Sequence, residues 1–180
     1  VRDLYGDWFS MVADNKDLPE ADIAASAPPQ EVLSQHRRLL AEIETTRMTK
    51  CYKMILLEAF LELDGWTTSP ALSALARRSW DVLQRRRALL VDLPEEHRSK
   101  YAEAAWLSYW RRNPVAAWVG ESGKRAAGAL FEVRDGHFRA VADVKPGEQD
   151  LLAAWVQELI DYKLADYQSR MATRGTEGGA

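Results

Sequence analysis

Cysteine is almost absent from this chain, since Cys51 is the only one among its 180 residues. A single thiol excludes a disulfide within the chain and any metal site built from several cysteines. The three histidines, His36, His97 and His137, are too far apart in the sequence to show a metal-ligand spacing. We therefore expect no metal and no cofactor, and the scarcity of cysteine is typical of the reducing cytoplasm.

Long apolar runs are also missing, because no stretch approaches the ~20 consecutive apolar residues that cross a bilayer. Residues 1–17 lack the charged and then apolar pattern of a secretory signal. We therefore expect no membrane partner and a cytoplasmic location. Apolar residues still make up 47% of the chain, which is enough for one ordinary domain with its own core. The missing initial Met suggests a piece of a longer protein.

Catalytic motifs are missing as well. Residues 120–128, GESGKRAAG, resemble a phosphate-binding loop, but Trp118 stands where that motif has its first glycine and Arg125 where it has Ser or Thr. No nucleophile elbow, His-Glu-x-x-His pair or Cys-x-x-Cys pair occurs. The carboxylates suggest no acid–base pair either. The sequence therefore predicts no enzyme and no catalytic residue, and it predicts a flexible basic loop at residues 120–128.

What the sequence does contain is an uneven distribution of charge. The formal net charge is −3. Residues 77–139 hold thirteen basic and eight acidic side chains, whereas residues 1–46 hold four basic and nine acidic ones. Residues 140–180 are acidic again, with four basic and seven acidic side chains. A basic block between acidic flanks would orient the protein on a polyanion.

The apolar periodicity predicts mostly helices. His36 lies on one apolar stripe and Cys51 lies beside another, so we expect both to be packed side chains. Apolar residues recur at helical spacing in six segments, which are residues 3–13, 30–46, 48–63, 67–93, 99–113 and 149–169. The last of these is expected to be a long amphipathic helix.

The stretch ALFEVRDGHFRAV predicts a single β-hairpin, because the Asp-Gly dipeptide at residues 135–136 is a two-residue turn signal between alternating segments. That turn pairs Val133 with Phe138 on one face of the hairpin. On the other face it pairs Glu132 with Arg139, which carry opposite charges.

Together these elements predict a fold that is mainly α with a small β-hairpin (α+β), a winged-helix-like helical domain. Residues 1–46 are expected to form an N-terminal helical segment with a Pro/Ala-rich loop. Residues 47–170 are expected to form a helical DNA-binding domain that includes the hairpin, and residues 171–180 a disordered tail.

Basic side chains define the candidate binding surface. Arg47, Lys50 and Lys53 recur at steps of three residues, so a helix that starts early enough would place them on one edge, where the helix dipole favours an anion. A solvated helix face without a ligand is the simpler alternative. The residues expected to contact DNA phosphates are these three together with Arg78, Arg85, Arg111, Arg112, His137 and Arg139.

Residues 43–66, IETTRMTKCYKMILLEAFLELDGW, resemble a recurrent segment in the C-terminal parts of large bacterial superfamily 2 helicases. Those proteins are associated with restriction and phage defence, often beside nuclease modules. The family-like core is Thr49, Lys50, Tyr52, Lys53 and Met54, and Cys51 stands where the family has a serine. Since no helicase motor motif is present, the resemblance implies a non-catalytic DNA-binding accessory domain. Its partners would be DNA and the rest of an ATP-dependent parent helicase.

Residues 113–138 are similar to the sulfur-recognising domains of restriction enzymes that detect phosphorothioate-modified DNA. Pro114 and Ala117 match the Pro-x-x-Ala element that those domains place in a shallow apolar pocket beside basic residues. Asn113 stands where those domains have an aromatic residue, and Trp110 or Trp118 could supply the lost apolar surface. Because sulfur is larger, softer and less hydrated than oxygen, an apolar concavity would prefer it. The resemblance implies a sulfur pocket formed by Asn113, Pro114, Ala117 and Trp118.

Two alternatives stay open. In the first, Pro114 merely ends a helix and Ala117 packs in the core. In the second, the seven tryptophans and the acidic first and last helices belong to a protein-interaction or oligomerisation module. Core packing is the simpler explanation for the tryptophans.

Overall fold

The computed structural model of the chain describes residues 29–120 and 128–177. Several predicted segments lie outside this part. They are the helix at residues 3–13, the loop after it up to residue 28, most of the expected basic loop at residues 120–128, and the last three residues. The described part is mainly helical and carries one two-stranded antiparallel sheet. The expected mainly α fold with a small β-hairpin is therefore confirmed, whereas its likeness to a winged helix stays a prediction.

Seven α-helices, two 3-10 helices, one π-helical turn and one hairpin follow one another along the described part. In chain order they are α1 (Pro29–Thr45), α2 (Tyr52–Glu62), α3 (Gly65–Thr68), α4 (Leu72–Arg85), two 3-10 helices (Arg87–Asp92 and Glu95–His97), α5 (Glu103–Trp110), a π-helical turn (Arg111–Val115), α6 (Ala116–Val119), β1 (Phe131–Arg134), β2 (His137–Ala140) and α7 (Gln149–Glu177).

Helix α2 lies at the centre of the fold because its side chains are apolar on nearly every face. Ile55 and Leu57 lie on nearly opposite sides of the helix, and both are fully buried. A helix with this composition has to be surrounded by other elements, and α4, α7 and the π-helical turn pack against it. The helix begins at Tyr52 and ends at Glu62.

Helix α1 contributes to the same core. Its stripe of Leu33, Leu40 and Ile43 is buried and belongs to the apolar cluster around α2, so residues 29–46 pack directly on the rest of the fold. The two packed side chains expected from the sequence are confirmed. His36 is buried with its Nε2 3.1 Å from Glu148 Oε2, and Cys51 is fully buried.

The hairpin has the predicted register, with Val133 opposite Phe138 and Glu132 opposite Arg139. The residues at 135–136 both have positive φ, which a two-residue turn between twisted strands requires. Two backbone hydrogen bonds join the hairpin to α4. The Phe138 N–H donates to a carbonyl oxygen just before α4, and the Gly136 carbonyl oxygen accepts the N–H of the first residue of α4. The hairpin is therefore fixed against the helical core.

Pro114 lies inside a continuous helical segment. Helix α5 passes through the π-helical turn directly into α6, and Pro114 is a buried member of that turn. The prediction that the helix ends before Pro114 is therefore wrong. Proline lacks an N–H and crowds the preceding turn of an α-helix, and the wider i→i+5 turn of a π-helix accommodates it. Such turns occur often at functional sites.

Helix α7 is longer than the periodicity predicts, because it continues from Gln149 to Glu177 rather than ending near Ser169. Its buried positions include Leu152, Val156 and Leu164, which pack on α1 and α2. None of the helices within residues 29–120 and 128–177 has both the length and the apolar character that crossing a membrane requires.

Candidate functional site

A groove of about 380 Å³ opens between the residues that precede α2 and the π-helical turn. We call it the basic groove. Four of its lining side chains are cationic and none of its lining residues is acidic. The lining residues are Arg47, Thr49, Lys50, Tyr52, Lys53, Arg112, Asn113, Pro114, Ala116 and Ala117.

The three cations at steps of three residues meet at this groove, but a single helix does not carry them. Helix α2 begins at Tyr52, so Arg47 and Lys50 precede it and only Lys53 belongs to its first turn. The expected arrangement on one helical edge is therefore wrong. The backbone between residues 46 and 51 turns these side chains towards the groove instead.

The Lys50 ammonium is held at the rim of the groove. Its Nζ donates to the Asp92 carbonyl oxygen at 3.1 Å and to the Tyr52 hydroxyl at 3.3 Å. The Tyr52 hydroxyl itself donates to the same Asp92 carbonyl, so Tyr109 is the donor where the two tyrosine hydroxyls lie 2.6 Å apart. Burial raises the pKa of Tyr52. The phenol therefore stays neutral.

Lys53 is the deeper of the lysines. Its Nζ donates to Thr46 Oγ1 at 2.7 Å and lies 4.9 Å from the centre of the Trp118 ring. The Trp118 indole N–H donates to the Lys53 carbonyl oxygen at 3.2 Å. Half-burial lowers the pKa of Lys53, while the charge of Glu42 acts in the opposite direction. An anion in the groove would offset this desolvation of the ammonium.

The opposite wall combines one cation with an apolar surface. Arg112 is exposed, and its Nε donates to the Ser108 carbonyl oxygen at 3.3 Å. Pro114 is buried, whereas Ala117 is exposed and lines the groove. The alternative in which Pro114 ends a helix and Ala117 packs in the core is therefore wrong on both points.

Asn113 and Trp118 differ in their relation to the groove. The Asn113 side-chain amide donates to the Tyr109 carbonyl oxygen at 2.7 Å, and the residue lines the groove. Trp118 is buried and does not line it. Three of the four residues expected to form a sulfur pocket thus line one groove, and Trp118 lies against Lys53.

The remaining predicted phosphate contacts are found elsewhere. Arg78 and Arg85 project from the same side of α4, and both form ion pairs with Glu62. In the hairpin, Arg139 pairs with its cross-strand neighbour Glu132. None of these three arginines lines the basic groove.

His137 and Arg111 are exposed and also do not line the basic groove. The His137 Nδ1 lies 2.9 Å from the Asp135 carbonyl oxygen within the hairpin turn. The structure thus brings together Arg47, Lys50, Lys53 and Arg112, and it leaves the other predicted cations apart from them.

Sequence reasoning missed Thr49, Tyr52 and Ala116 as lining residues. Thr49 and Tyr52 are neighbours of Lys50 and Lys53 in the sequence, so their position between these predicted contacts was an available signal. Ala116 carried no signal because an alanine inside a helix is ordinary. Cys51 lies between these residues but is buried, and burial raises the pKa of its thiol, so it remains a packed neutral side chain.

No metal site accompanies the groove. Among residues 29–120 and 128–177, no group of three or more His, Cys, Asp or Glu side chains is arranged to hold an ion. Comparisons of the chain with protein-family models, with curated proteins and with solved structures gave no match. The chemistry of the groove itself is therefore the basis for a functional proposal.

Proposed function

We propose that this chain is a non-catalytic DNA-binding domain that grips the phosphate backbone in the basic groove. The observation that carries this proposal is the meeting of Arg47, Lys50, Lys53 and Arg112 around one groove without an acidic lining residue. Cations of this kind supply most of the sequence-independent affinity of proteins for nucleic acids. The resemblance to helicase tails supports the same proposal, and a parent helicase would be the second partner.

The charges of the groove favour an anion-binding site over a solvated surface without a ligand. Arg78, Arg85 and Arg139 already have carboxylate partners, whereas Lys50 and Lys53 bond only to neutral oxygens. Glu42 acts on Lys53 without forming an ion pair, so a phosphate would be the first anion in direct contact with these two ammonium groups within the described part of the chain. For this reason we place the phosphate contacts at the groove and not on α4 or the hairpin.

A salt titration tests the proposal. Each neutralised phosphate adds roughly −0.9 to the slope of log affinity against log salt. Four groove contacts thus predict a slope of about −3.6, which is a decrease of about 150-fold between 50 and 200 mM salt. Fluorescence anisotropy with a labelled duplex measures it, and an affinity that does not change with salt would sink the proposal.

Single substitutions locate the contacts. Lys50→Ala and Arg112→Ala should each make the slope shallower by about 0.9. Arg77→Ala is the matched control, because Arg77 is equally cationic but pairs with Asp81 and does not line the groove. If Arg77→Ala changed the slope as much as Arg112→Ala, the groove would not be the site.

A second candidate function, detection of phosphorothioate linkages, is favoured by one observation. Pro114, Ala116 and Ala117 place an apolar surface beside the four cations of the groove. A sulfur atom would lie against that surface while a cation neutralises the remaining charge of the linkage. We propose this as a refinement of backbone binding.

Matched duplexes with and without one phosphorothioate linkage distinguish the two functions. A sensor should bind the modified duplex more tightly, and Ala117→Ser should remove that preference because the added hydroxyl makes the apolar surface polar. Equal affinity for both duplexes would exclude the sensor and leave general backbone binding in place.

Four of the tryptophans give no support to the interaction-module alternative. Trp80, Trp106, Trp110 and Trp118 are buried in the core. Buried rings stabilise the fold and are not available as interface anchors. A chain that forms oligomers and fails to bind DNA would restore this alternative.

A further inference from the structure

The part of the basic groove that carries Arg47, Thr49 and Lys50 has no regular secondary structure. It runs from the end of α1 to the start of α2, and we call residues 46–51 the groove loop. Fixing the backbone of each residue costs roughly 1–2 kcal/mol in conformational entropy. A loop that presents cations in a defined arrangement therefore needs contacts that hold it from behind.

Asp92 makes several of these contacts. Its carboxylate accepts the Cys51 backbone N–H at 2.7 Å through Oδ2. Its carbonyl oxygen accepts Lys50 Nζ at 3.1 Å and the Tyr52 hydroxyl. One residue thus bonds to three consecutive residues at the junction between the groove loop and α2.

Helix α7 supports the same loop from the core. Lys163 and Tyr167 are four residues apart, so they lie on one face of this helix. The buried Lys163 ammonium donates to the carbonyl oxygens of Glu44 and Thr46, at 2.7 and 2.8 Å. The Tyr167 hydroxyl donates to Asp92 Oδ1 at 2.7 Å. Both ends of the groove loop are therefore connected to α7, one directly and one through Asp92.

We propose that Asp92, held by Tyr167, is a positioning residue for the basic groove. This inference rests on the proposed DNA binding. A carboxylate beside an anion-binding groove has the wrong charge to contact a phosphate, and its two oxygens are occupied by Cys51 and Tyr167. Asp92 acts through the loop: it fixes the start of α2 and the Lys50 side chain, and these present the cation to the ligand.

The sign of one substitution separates positioning from simple electrostatics. Asp92→Asn removes a negative charge near the groove, so electrostatics alone would increase the affinity for DNA. Positioning predicts the opposite, because the amide has one acceptor oxygen instead of two and cannot accept both the Cys51 N–H and the Tyr167 hydroxyl. We expect the affinity to fall about fivefold or more, since a cation that is no longer held loses a phosphate contact and the salt slope becomes shallower by about 0.9.

Tyr167→Phe removes the bond to Asp92 and the contact of the hydroxyl with the Thr49 carbonyl oxygen at 3.3 Å. It does so without a change of charge and should also weaken DNA binding. Because both substitutions disturb the shared bond between Asp92 and Tyr167, their effects should be less than additive in the double variant. Tyr101→Phe is the matched control, since Tyr101 packs on Trp80 and Arg77 and does not contact the loop. It should bind DNA like the unmodified chain.

Labelled-duplex anisotropy and hydrogen exchange of the amides at residues 46–51 provide the two measurements. Weaker binding by Asp92→Asn and Tyr167→Phe, with faster exchange confined to the loop and the start of α2, supports the inference. Binding by Asp92→Asn that equals or exceeds that of the unmodified chain overturns it and leaves the proposed function intact. Absence of salt-sensitive binding in the unmodified chain overturns the proposed function itself, and the positioning role in DNA binding with it.

Discussion

Lys53 gives the proposed DNA binding a pH dependence that can be predicted in sign. Its half-burial between Thr46 and Trp118 lowers its pKa below the ordinary value of 10.5, against the opposing effect of Glu42. The ammonium therefore loses its proton at a lower pH than an exposed lysine does. Since a phosphate is attracted by the charged form only, we expect the affinity for DNA to decrease as the pH rises through this lowered pKa.

The size of the decrease follows from the loss of one charged contact. A hydrogen bond to a charged group contributes about 1.5–3 kcal/mol, which corresponds to at least about tenfold in Kd. The salt slope should change at the same time from about −3.6 to about −2.7. The decrease in affinity between 50 and 200 mM salt would then be about 40-fold at high pH and about 150-fold at neutral pH.

Binding isotherms from pH 7 to pH 10 measure this effect in three versions of the chain. Lys53→Met should bind weakly throughout and should match the unmodified chain at the highest pH. Lys53→Arg should keep its affinity, because a guanidinium stays protonated over the whole range. A parallel loss of affinity in the unmodified chain and in Lys53→Arg would refute the reasoning, since Lys53 would not be the titrating group.

Two further predictions concern stability. Gly65→Ala should lower the melting temperature by about 2–12 °C, because an added Cβ would lie 2.4 Å from the Phe60 ring and overpacking costs about 1–3 kcal/mol. Gly136→Asn, in an open turn at positive φ, is its control and should melt close to the unmodified chain, so equal melting of both variants would contradict the packing argument. Burial alone would raise the pKa of Glu148, but hydrogen bonds, led by that from His36, hold this pKa below 4.5. The ionised carboxylate therefore stabilises the fold above pH 4.5, and this contribution decreases as the pH falls. Glu148→Gln should cost about 2 kcal/mol at pH 7 and much less at pH 3 in urea unfolding, whereas an equal cost at both would exclude a charge effect.

The hairpin shows what local sequence determines. Its register followed from the turn at residues 135–136 and from the alternation on either side, because a two-residue turn fixes which residues face each other. Val133 and Phe138 therefore paired as predicted. The burial of His36 on α1 could be predicted for a similar reason, since helical periodicity determines which side chains share a face.

Helix boundaries were less predictable. The sequence predicted an end before Pro114 and an end of the last helix near Ser169, but the helical segment passes through Pro114 and α7 reaches Glu177. A proline breaks an α-helix, yet a π-helical turn packed on α2 accommodates it. That packing is a tertiary contact, which local propensity does not contain.

The sequence by itself determined that this chain is mainly helical with one hairpin, and it supplied the basic residues within residues 47–53 and 112–117. Only the tertiary structure decided that these two segments face each other. Residues 47–53 and 112–117 are far apart in the chain, and they meet because the π-helical turn packs on α2. The tertiary structure also separated the cations, since Glu62 neutralises Arg78 and Arg85 while no lining carboxylate neutralises the groove. The physical reason is that periodicity specifies the face of each element, whereas the packing of one element on another specifies which faces share a groove.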